Sequence, residues 1–82
     1  MNVDEILKQV NEIFRKVFEN GNIQVAMDTT ANDVDEWDSL NHTAMIVEVE
    51  KHFNLKFKLK EVLSFQNVGD MVNTIHTKLQ SA

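Results

Sequence analysis

Residues 38–53 read DSLNHTAMIVEVEKHF, and this stretch decides the fold because it predicts a helix with apolar residues on two faces. On a helical wheel of ~100° per residue, one face carries the residues expected to enter the core. They are Met45, Ile46, Val49 and Phe53. The roughly opposite face carries a second apolar stripe of Leu40, Ala44 and Val47, flanked by Glu48 and Glu50. We therefore expect a helix from about Ser39 to Phe53 whose outer face meets a partner; the alternative is a helix that is simply buried all round.

A first helix is predicted upstream of this stretch, over residues 3–18. Apolar residues recur there at helical spacing, and charged residues fill the opposite face. The apolar set is Val3, Ile6, Leu7, Val10, Ile13, Phe14 and Val17. Asn2 with Glu5 three residues later resembles a capping box, and Asn20-Gly21 is predicted to end the helix.

The connection between these helices, residues 20–38, is long for so small a chain, and loops of this length tend to be functional. Its apolar residues can anchor it to the helices, so the loop need not be flexible. They are Ile23, Val25, Met27, Val34 and Trp37.

Two further elements are predicted downstream. Residues 54–55 are expected to end the second helix, and a short apolar turn over residues 62–65 follows Leu59. A last helix begins near Val68 with Asn67 as its N-cap. Its predicted core residues are Val68, Met71, Val72, Ile75 and Leu79.

Together these elements predict an all-α fold in a single domain over residues 1–82. We expect a small four-helix bundle, with three principal helices, one short helix and a long loop between helices one and two. With 82 residues and 43% apolar residues, the chain can form a core, though its stability margin is narrow. The absence of cysteine excludes disulfides and thiolate metal sites.

The charge balance excludes several classes of partner. The chain has 13 acidic and 8 basic residues, for a net charge of −5, whereas nucleic-acid binding requires clustered Lys and Arg. No long apolar run is present, so we expect no signal peptide, no membrane insertion and a cytoplasmic protein. An acidic protein of this size is expected to meet basic patches on protein partners.

No enzyme active site or metal site is apparent in the sequence. His42, His52 and His76 lack metal-ligand spacing and are interpreted as surface residues. The acids of residues 33–38 lack the glycine and the final glutamate of a calcium-binding loop. No Ser-His-Asp order or paired-carboxylate site stands out, so we expect neither catalytic residues nor metal ligands.

Ser39 is the candidate for chemistry. At the start of a helix its hydroxyl is expected to be exposed, near amide N–H groups and the positive end of the helix dipole, which favour a phosphate ester. On its own this observation is weak, because Asp or Ser before an apolar helix is usually only an N-cap.

The chain resembles the acyl carrier protein family in several features that occur together. Asp38-Ser39-Leu40 resembles the Asp-Ser-Leu signature at the start of the family's helix two. Residues 50–53, Glu-Lys-His-Phe, resemble the Glu-x-x-Phe-like segment that ends that helix. The length, acidity, long first loop, short third helix and final helix agree as well, so the resemblance covers essentially the whole chain.

This resemblance implies a covalent 4′-phosphopantetheine on Ser39, derived from coenzyme A. In the family, a phosphopantetheinyl transferase uses a magnesium ion, and the serine hydroxyl attacks the β-phosphate of coenzyme A. The thiol of the arm then holds acyl groups as thioesters. The carrier is not an enzyme; it presents its cargo to acyl-loading, elongating or transferring enzymes of fatty-acid or related biosynthesis. Asp38 matches the residue before the serine and would orient the serine or the transferase's metal, or only cap the helix.

The resemblance also implies two surfaces and an oligomeric state. Partner enzymes of the family dock on helix two. In this chain the resemblance implies a docking surface formed by the apolar stripe and the acids beside it: Leu40, Ala44, Val47, Glu48 and Glu50. The positions that line the family's acyl groove match Ile46, Val49, Phe57, Val62 and Phe65, and ordinary core residues are the alternative. The two bulky phenylalanines predict a small or closed groove. A carrier that visits many enzymes is expected to be a monomer.

Departures from the family pattern leave the pathway open. Asn41 and Ala44 stand where fatty-acid carriers usually have acids, and Lys51 interrupts a common acidic run. Trp37 directly before Asp38 is typical of specialised carriers, including D-alanyl carriers. The alternatives are therefore an aminoacyl carrier, D-alanyl or peptidyl, or a helical protein-interaction domain without a prosthetic group in which Ser39 is only a cap.

Overall fold

The computed structural model describes residues 1–81, which contain four α-helices and one 3₁₀ turn joined by loops. The helices are α1 (Val3–Val17), α2 (Ser39–Phe53), α3 (Leu59–Ser64) and α4 (Val68–Ser81), and the 3₁₀ turn is Ala31–Asp33. No strand occurs within these residues, so the predicted all-α fold of three principal helices and one short helix is confirmed. The single domain over residues 1–82 stays a prediction, and Ala82 lies outside the described residues.

The core lies where α1 packs against α2 and α4. Each of these helices contributes fully buried apolar side chains at the spacing that the sequence predicted. They include Ile6, Val10, Phe14, Met45, Val49, Val68, Val72 and Ile75. Burying one such side chain stabilises the fold by about 1.5–3 kcal/mol, so this core dominates the stability. In the part of the chain that the structure covers, no helix has the length and apolar character needed to cross a membrane.

Both ends of α1 are hydrogen-bonded, but the C-terminal end differs from the prediction. The predicted capping box is present: the N–H of Glu5 donates to Asn2 Oδ1 (2.9 Å), and the N–H of Asn2 donates to Glu5 Oε1 (3.3 Å). Asn20-Gly21 was predicted to end the helix, whereas the left-handed residue is Glu19, with φ 54°. The N–H of Asn20 then donates to the carbonyl of Arg15 (3.1 Å), as in a Schellman motif.

The first loop is held against α1 by hydrogen bonds to its backbone. Asn11 is buried, and its Nδ2 donates to the carbonyl of Val25 (3.0 Å). Its Oδ1 accepts from the N–H of the same residue (2.6 Å). Arg15 donates from Nε to the carbonyl of Ile23 (2.7 Å). Ile23 and Val25 are buried, so the predicted anchoring of the loop by these two residues is confirmed.

The same loop is bonded to the start of α4. The N–H groups of Val68 and Gly69 lack acceptors within their own helix, as first-turn donors do. They donate instead to the carbonyls of Thr29 (2.9 Å) and Met27 (2.7 Å). A Cβ on Gly69 would lie 2.6 Å from the carbonyl oxygen of Met27, so the close approach requires glycine here.

Between α2 and α4 the chain turns sharply and forms α3. Asn54 is left-handed (φ 54°, ψ 53°) and ends α2, as predicted for residues 54–55. The predicted short helix is α3, which begins at Leu59 and ends at Ser64, whereas the predicted apolar turn covered residues 62–65. Glu61 explains the earlier start, because its Oε1 accepts from the N–H of Lys58 (2.7 Å) and so satisfies a donor at the helix N-terminus.

Candidate functional site

Ser39 is the first residue of α2, and Asp38 before it is the N-cap. Asp38 has extended backbone, and its Oδ1 accepts from the N–H of Asn41 (2.8 Å), so its capping role is a feature of the structure. The side chain of Asn41 in turn donates from Nδ2 to the carbonyl of Glu36 (2.7 Å), which ties the start of the helix to the end of the loop. The position of Ser39 is therefore set by hydrogen bonds on both sides of it.

The hydroxyl of Ser39 is available for chemistry. The residue is exposed, and its Oγ has no hydrogen-bond partner among residues 1–81. The N–H groups of Ser39 and Leu40 lie in the first turn of α2 and have no acceptor within the helix. An oxyanion attached to the hydroxyl would meet these donors and the positive end of the helix dipole.

Trp37 and His42 form a hydrogen-bonded pair beside Ser39. The indole Nε1–H of Trp37 donates to Nδ1 of His42 (2.9 Å), and the two rings are nearly parallel, with centroids 6.0 Å apart. Trp37 also packs edge-on against Phe14, with centroids 5.1 Å apart. Burial lowers the pKa of His42 below its usual value of 6.5, because a half-buried site disfavours the charged imidazolium.

A cavity of about 460 Å³ is lined in part by Ser39, and we call it the Ser39 cavity. One side is formed by the end of the loop and the start of α2, and the other side by α3 and the residues that follow it. Its lining includes Trp37, Ser39, His42, Leu59, Val62, Leu63 and Phe65. Leu59 and Leu63 are 73% and 76% exposed, so two large apolar side chains on the same short helix lie open beside Ser39.

The predicted groove residues separate into two groups. Val62 and Phe65 line the Ser39 cavity. Ile46 and Val49 are buried in the core, and Phe57 packs edge-on against Phe65, with centroids 5.3 Å apart and rings at 82°. These three residues are not part of the cavity lining: Ile46 and Val49 belong to the core, and Phe57 packs against it. A role for the five residues in holding an acyl chain stays a prediction.

The outer stripe of α2 is exposed. Leu40 is 78% and Val47 42% exposed, and Ala44 is exposed as well, so the alternative of a helix buried all round is wrong. The two flanking acids differ in their surroundings. Glu48 pairs with the exposed Lys16 (3.3 Å), whereas Glu50 accepts the N–H of Phe57 at Oε2 (2.8 Å) and so helps to shape the turn after α2.

Sequence reasoning missed the role of His42. It was interpreted as a surface residue, but it is half-buried and bonded to Trp37. The available signal was the spacing, since a residue three positions after Ser39 on a helix lies on the same face as the serine. Elsewhere in the described chain, no group of three or more His, Asp or Glu residues is arranged to hold a metal ion.

Two comparisons with known proteins found similar proteins. A family model described as a phosphopantetheine attachment site matches residues 8–75. The solution NMR structure of a holo acyl carrier protein from Geobacter metallireducens has a similar fold, with a TM-score of 0.86. Its sequence is 41% identical, and the match covers 92% of this chain and 86% of that chain. A search of curated protein sequences found no match.

Proposed function

Since the chain belongs to the acyl carrier protein family, we propose that Ser39 is the residue that bears its 4′-phosphopantetheine. The protein is a carrier that a phosphopantetheinyl transferase modifies, and it is not an enzyme. One observation carries the choice of residue. Ser39 has an exposed hydroxyl without a hydrogen-bond partner in residues 1–81, at the first position of a 15-residue helix and at the edge of a cavity.

The residues around Ser39 fit a phosphodiester. The unpaired N–H groups of the first turn supply donors, and the helix dipole favours negative charge at this end. Asp38 caps the helix and keeps this turn in place, because its Oδ1 accepts a hydrogen bond from the N–H of Asn41. When bound, the prosthetic group supplies a thiol that carries cargo as a thioester.

We propose acyl groups of fatty-acid or related biosynthesis as the cargo. The support is the 41% identity to an acyl carrier protein over nearly the whole chain. An aminoacyl cargo, D-alanyl or peptidyl, is the alternative, because the loading enzyme chooses the cargo and the attachment site is the same for both.

Partner enzymes are proposed to dock on α2. The exposed apolar residues Leu40, Ala44 and Val47 offer contact area next to the serine, and Glu48 and Glu50 add negative charge. With a net charge of −5, the chain is expected to approach basic surfaces faster at low salt. The partners proposed are the phosphopantetheinyl transferase and the acyl-loading, elongating or transferring enzymes. The monomeric state and the cytoplasmic location stay predictions.

Intact mass tests the attachment site. The purified protein is incubated with coenzyme A, magnesium and a broad-specificity phosphopantetheinyl transferase, alongside Ser39→Ala and Ser64→Ala. Ser64 is also exposed and lies in a helix, but its Oγ donates to the carbonyl of Glu61 (2.7 Å), which makes it a matched control. We expect one added phosphopantetheinyl group in the parent and in Ser64→Ala, and none in Ser39→Ala. An added group in a folded Ser39→Ala would refute the proposed site.

The holo protein then tests the cargo. It is offered to an acyl-loading enzyme with fatty acids and to aminoacyl-activating enzymes with D-alanine or other amino acids, and the mass is measured again. Acylation by fatty acids alone supports the proposal. Loading by amino acids alone would replace it with the aminoacyl carrier.

A further inference from the structure

The wall of the Ser39 cavity formed by the loop and α2 is polar, and Trp37 and His42 lie there beside Asp38, Ser39 and Thr43. An indole N–H can only donate, so Nδ1 of His42 must accept and carries no proton. The ring is therefore the neutral tautomer with its proton on Nε2. Packing of Trp37 against Phe14 and Phe18 holds the indole, and through it the orientation of the imidazole.

The Nε2–H of His42 is a donor without a protein acceptor. It has no hydrogen-bond partner among residues 1–81. Within the same residues, no side-chain polar atom is both buried and unpaired, so this nitrogen is open to solvent. His42 also follows Ser39 by three residues and lies on the same face of α2. A free donor thus stands next to the proposed attachment point.

The opposite wall of the cavity is apolar except for Gln66, and its two leucines are exposed. Leu59 and Leu63 line it while remaining 73% and 76% exposed. A ligand that suits both walls combines methyl or methylene groups with carbonyl acceptors. The phosphopantetheine arm has this chemistry, because it alternates a dimethyl group and methylenes with amide carbonyls.

We propose that His42 binds the phosphopantetheine arm, donating from Nε2–H to an amide carbonyl of the arm while Leu59 and Leu63 cover its apolar part. This inference rests on the proposed attachment at Ser39. A group attached there begins at the edge of the cavity, so binding is intramolecular, with an effective concentration on the order of millimolar. The contact is then populated when its intrinsic Kd is about millimolar or lower. Neutral His42 suits this role because the imidazolium would lose the bond from Trp37.

NMR spectroscopy of the apo and holo proteins tests the contact. Attachment is first established by mass, with the arm labelled with ¹³C and ¹⁵N by means of coenzyme A labelled throughout its pantetheine part. The tautomer of His42 is read from long-range ¹H–¹⁵N spectra, and Trp37 is the only tryptophan, so its indole signal is unambiguous. We expect NOEs between the His42 ring and the arm, and shifts of His42 Nε2 and Trp37 Nε1–H on conversion from apo to holo.

Three holo variants separate this role from a structural one. His42→Ala should remove the arm NOEs and lower the heteronuclear NOE of the arm amides to that of a free tail. His42→Gln, which keeps an N–H donor, should retain part of the arm NOEs and of the heteronuclear NOE of the arm amides. His52→Ala is the matched control on the same helix, since His52 contacts Gln9 (2.6 Å) far from the cavity, and it should leave the arm signals unchanged. A holo parent whose arm amides are as mobile as those in a folded His42→Ala would overturn the inference. Failure to attach the arm would instead refute the proposed function.

Discussion

Two regions of the molecule differ in which side chains they bury. One is the region where the first loop meets α1 and α4, and the other is the region around Ser39. In the first, a polar residue is buried: the side chain of Asn11 forms two hydrogen bonds with the backbone of Val25. In the second, Leu40, Leu59 and Leu63 are more than 70% exposed. The buried amide is hydrogen-bonded within the protein, whereas most of the surface of each of these leucines faces solvent. This difference indicates that the loop region stabilises the fold, whereas the region around Ser39 offers an apolar surface to other molecules.

The largest expected effect sharpens the first half of this comparison. Asn11→Ala leaves the N–H and carbonyl of Val25 without their side-chain partner, so we expect the free energy of unfolding to fall by about 2–4 kcal/mol. Urea denaturation followed by circular dichroism measures it. Asn73→Ala, an exposed position in α4, is the control and should change stability by less than about 0.5 kcal/mol. Equal losses in the two variants would show that the buried amide has no special role.

The two glycines provide the next comparison. Gly69→Ala places a Cβ 2.6 Å from the carbonyl oxygen of Met27, and the loop must move, so we expect a loss of about 1–3 kcal/mol. Gly21→Ala meets no atom within 4 Å and should be neutral, or stabilise by up to about 1 kcal/mol. Thermal unfolding of the two variants side by side measures the difference. If Gly69→Ala unfolds at the same temperature as the parent, the loop is not held tightly against α4.

A smaller effect separates the two roles of Asp38. Asp38→Ala removes the cap of Asn41 and should cost about 1 kcal/mol, whereas Asp38→Asn keeps a capping oxygen and should cost little. The rate of phosphopantetheine transfer is measured for both. If Asp38 only caps the helix, Asp38→Asn is modified at the parental rate. A slow but stable Asp38→Asn would assign the carboxylate charge a role in the transfer reaction.

The smallest effect concerns the pH dependence of stability. Burial holds the pKa of His42 below 6.5 in the folded protein, so between the two pKa values the unfolded chain binds more protons. The contribution of His42 to the free energy of unfolding is therefore complete above pH 6.5 and is lost as the pH falls through the folded-state pKa. Denaturation at neutral and mildly acidic pH should show this decline in the parent, and a reduced decline in His42→Gln. Parallel pH profiles would contradict the burial of His42.

The helices that build the core could be predicted from the sequence because their information is local. The predicted second helix, Ser39 to Phe53, agrees with the structure in both bounds, and the capping box of Asn2 and Glu5 is present. Apolar spacing and side-chain caps act within a few residues, so a single sequence records them. The 3₁₀ turn Ala31–Asp33 was not foreseen.

Features that depend on distant partners could not be predicted. The role of Asn11 is set by Val25, and that of Gly69 by Met27, and neither pair has a local pattern. The short apolar turn was predicted over residues 62–65, whereas α3 begins at Leu59, where the N–H of Lys58 donates to Glu61, a bond that apolar spacing does not record. Of the candidate site, the exposed Ser39 hydroxyl and the α2 stripe followed from the helix pattern, but the pairing of Trp37 with His42 joins a loop to a helix and required the structure.

The bonds between the first loop and α4 have a consequence for the order of events during synthesis. The carbonyls of Met27 and Thr29 accept hydrogen bonds from Gly69 and Val68, which are synthesised about 40 residues later. Until α4 leaves the ribosome, the loop that leads to Ser39 lacks these partners, and α1 lacks much of its apolar cover. We therefore expect the surroundings of the serine to be completed late, and the nascent chain to fold as one cooperative unit rather than from its N-terminus onward.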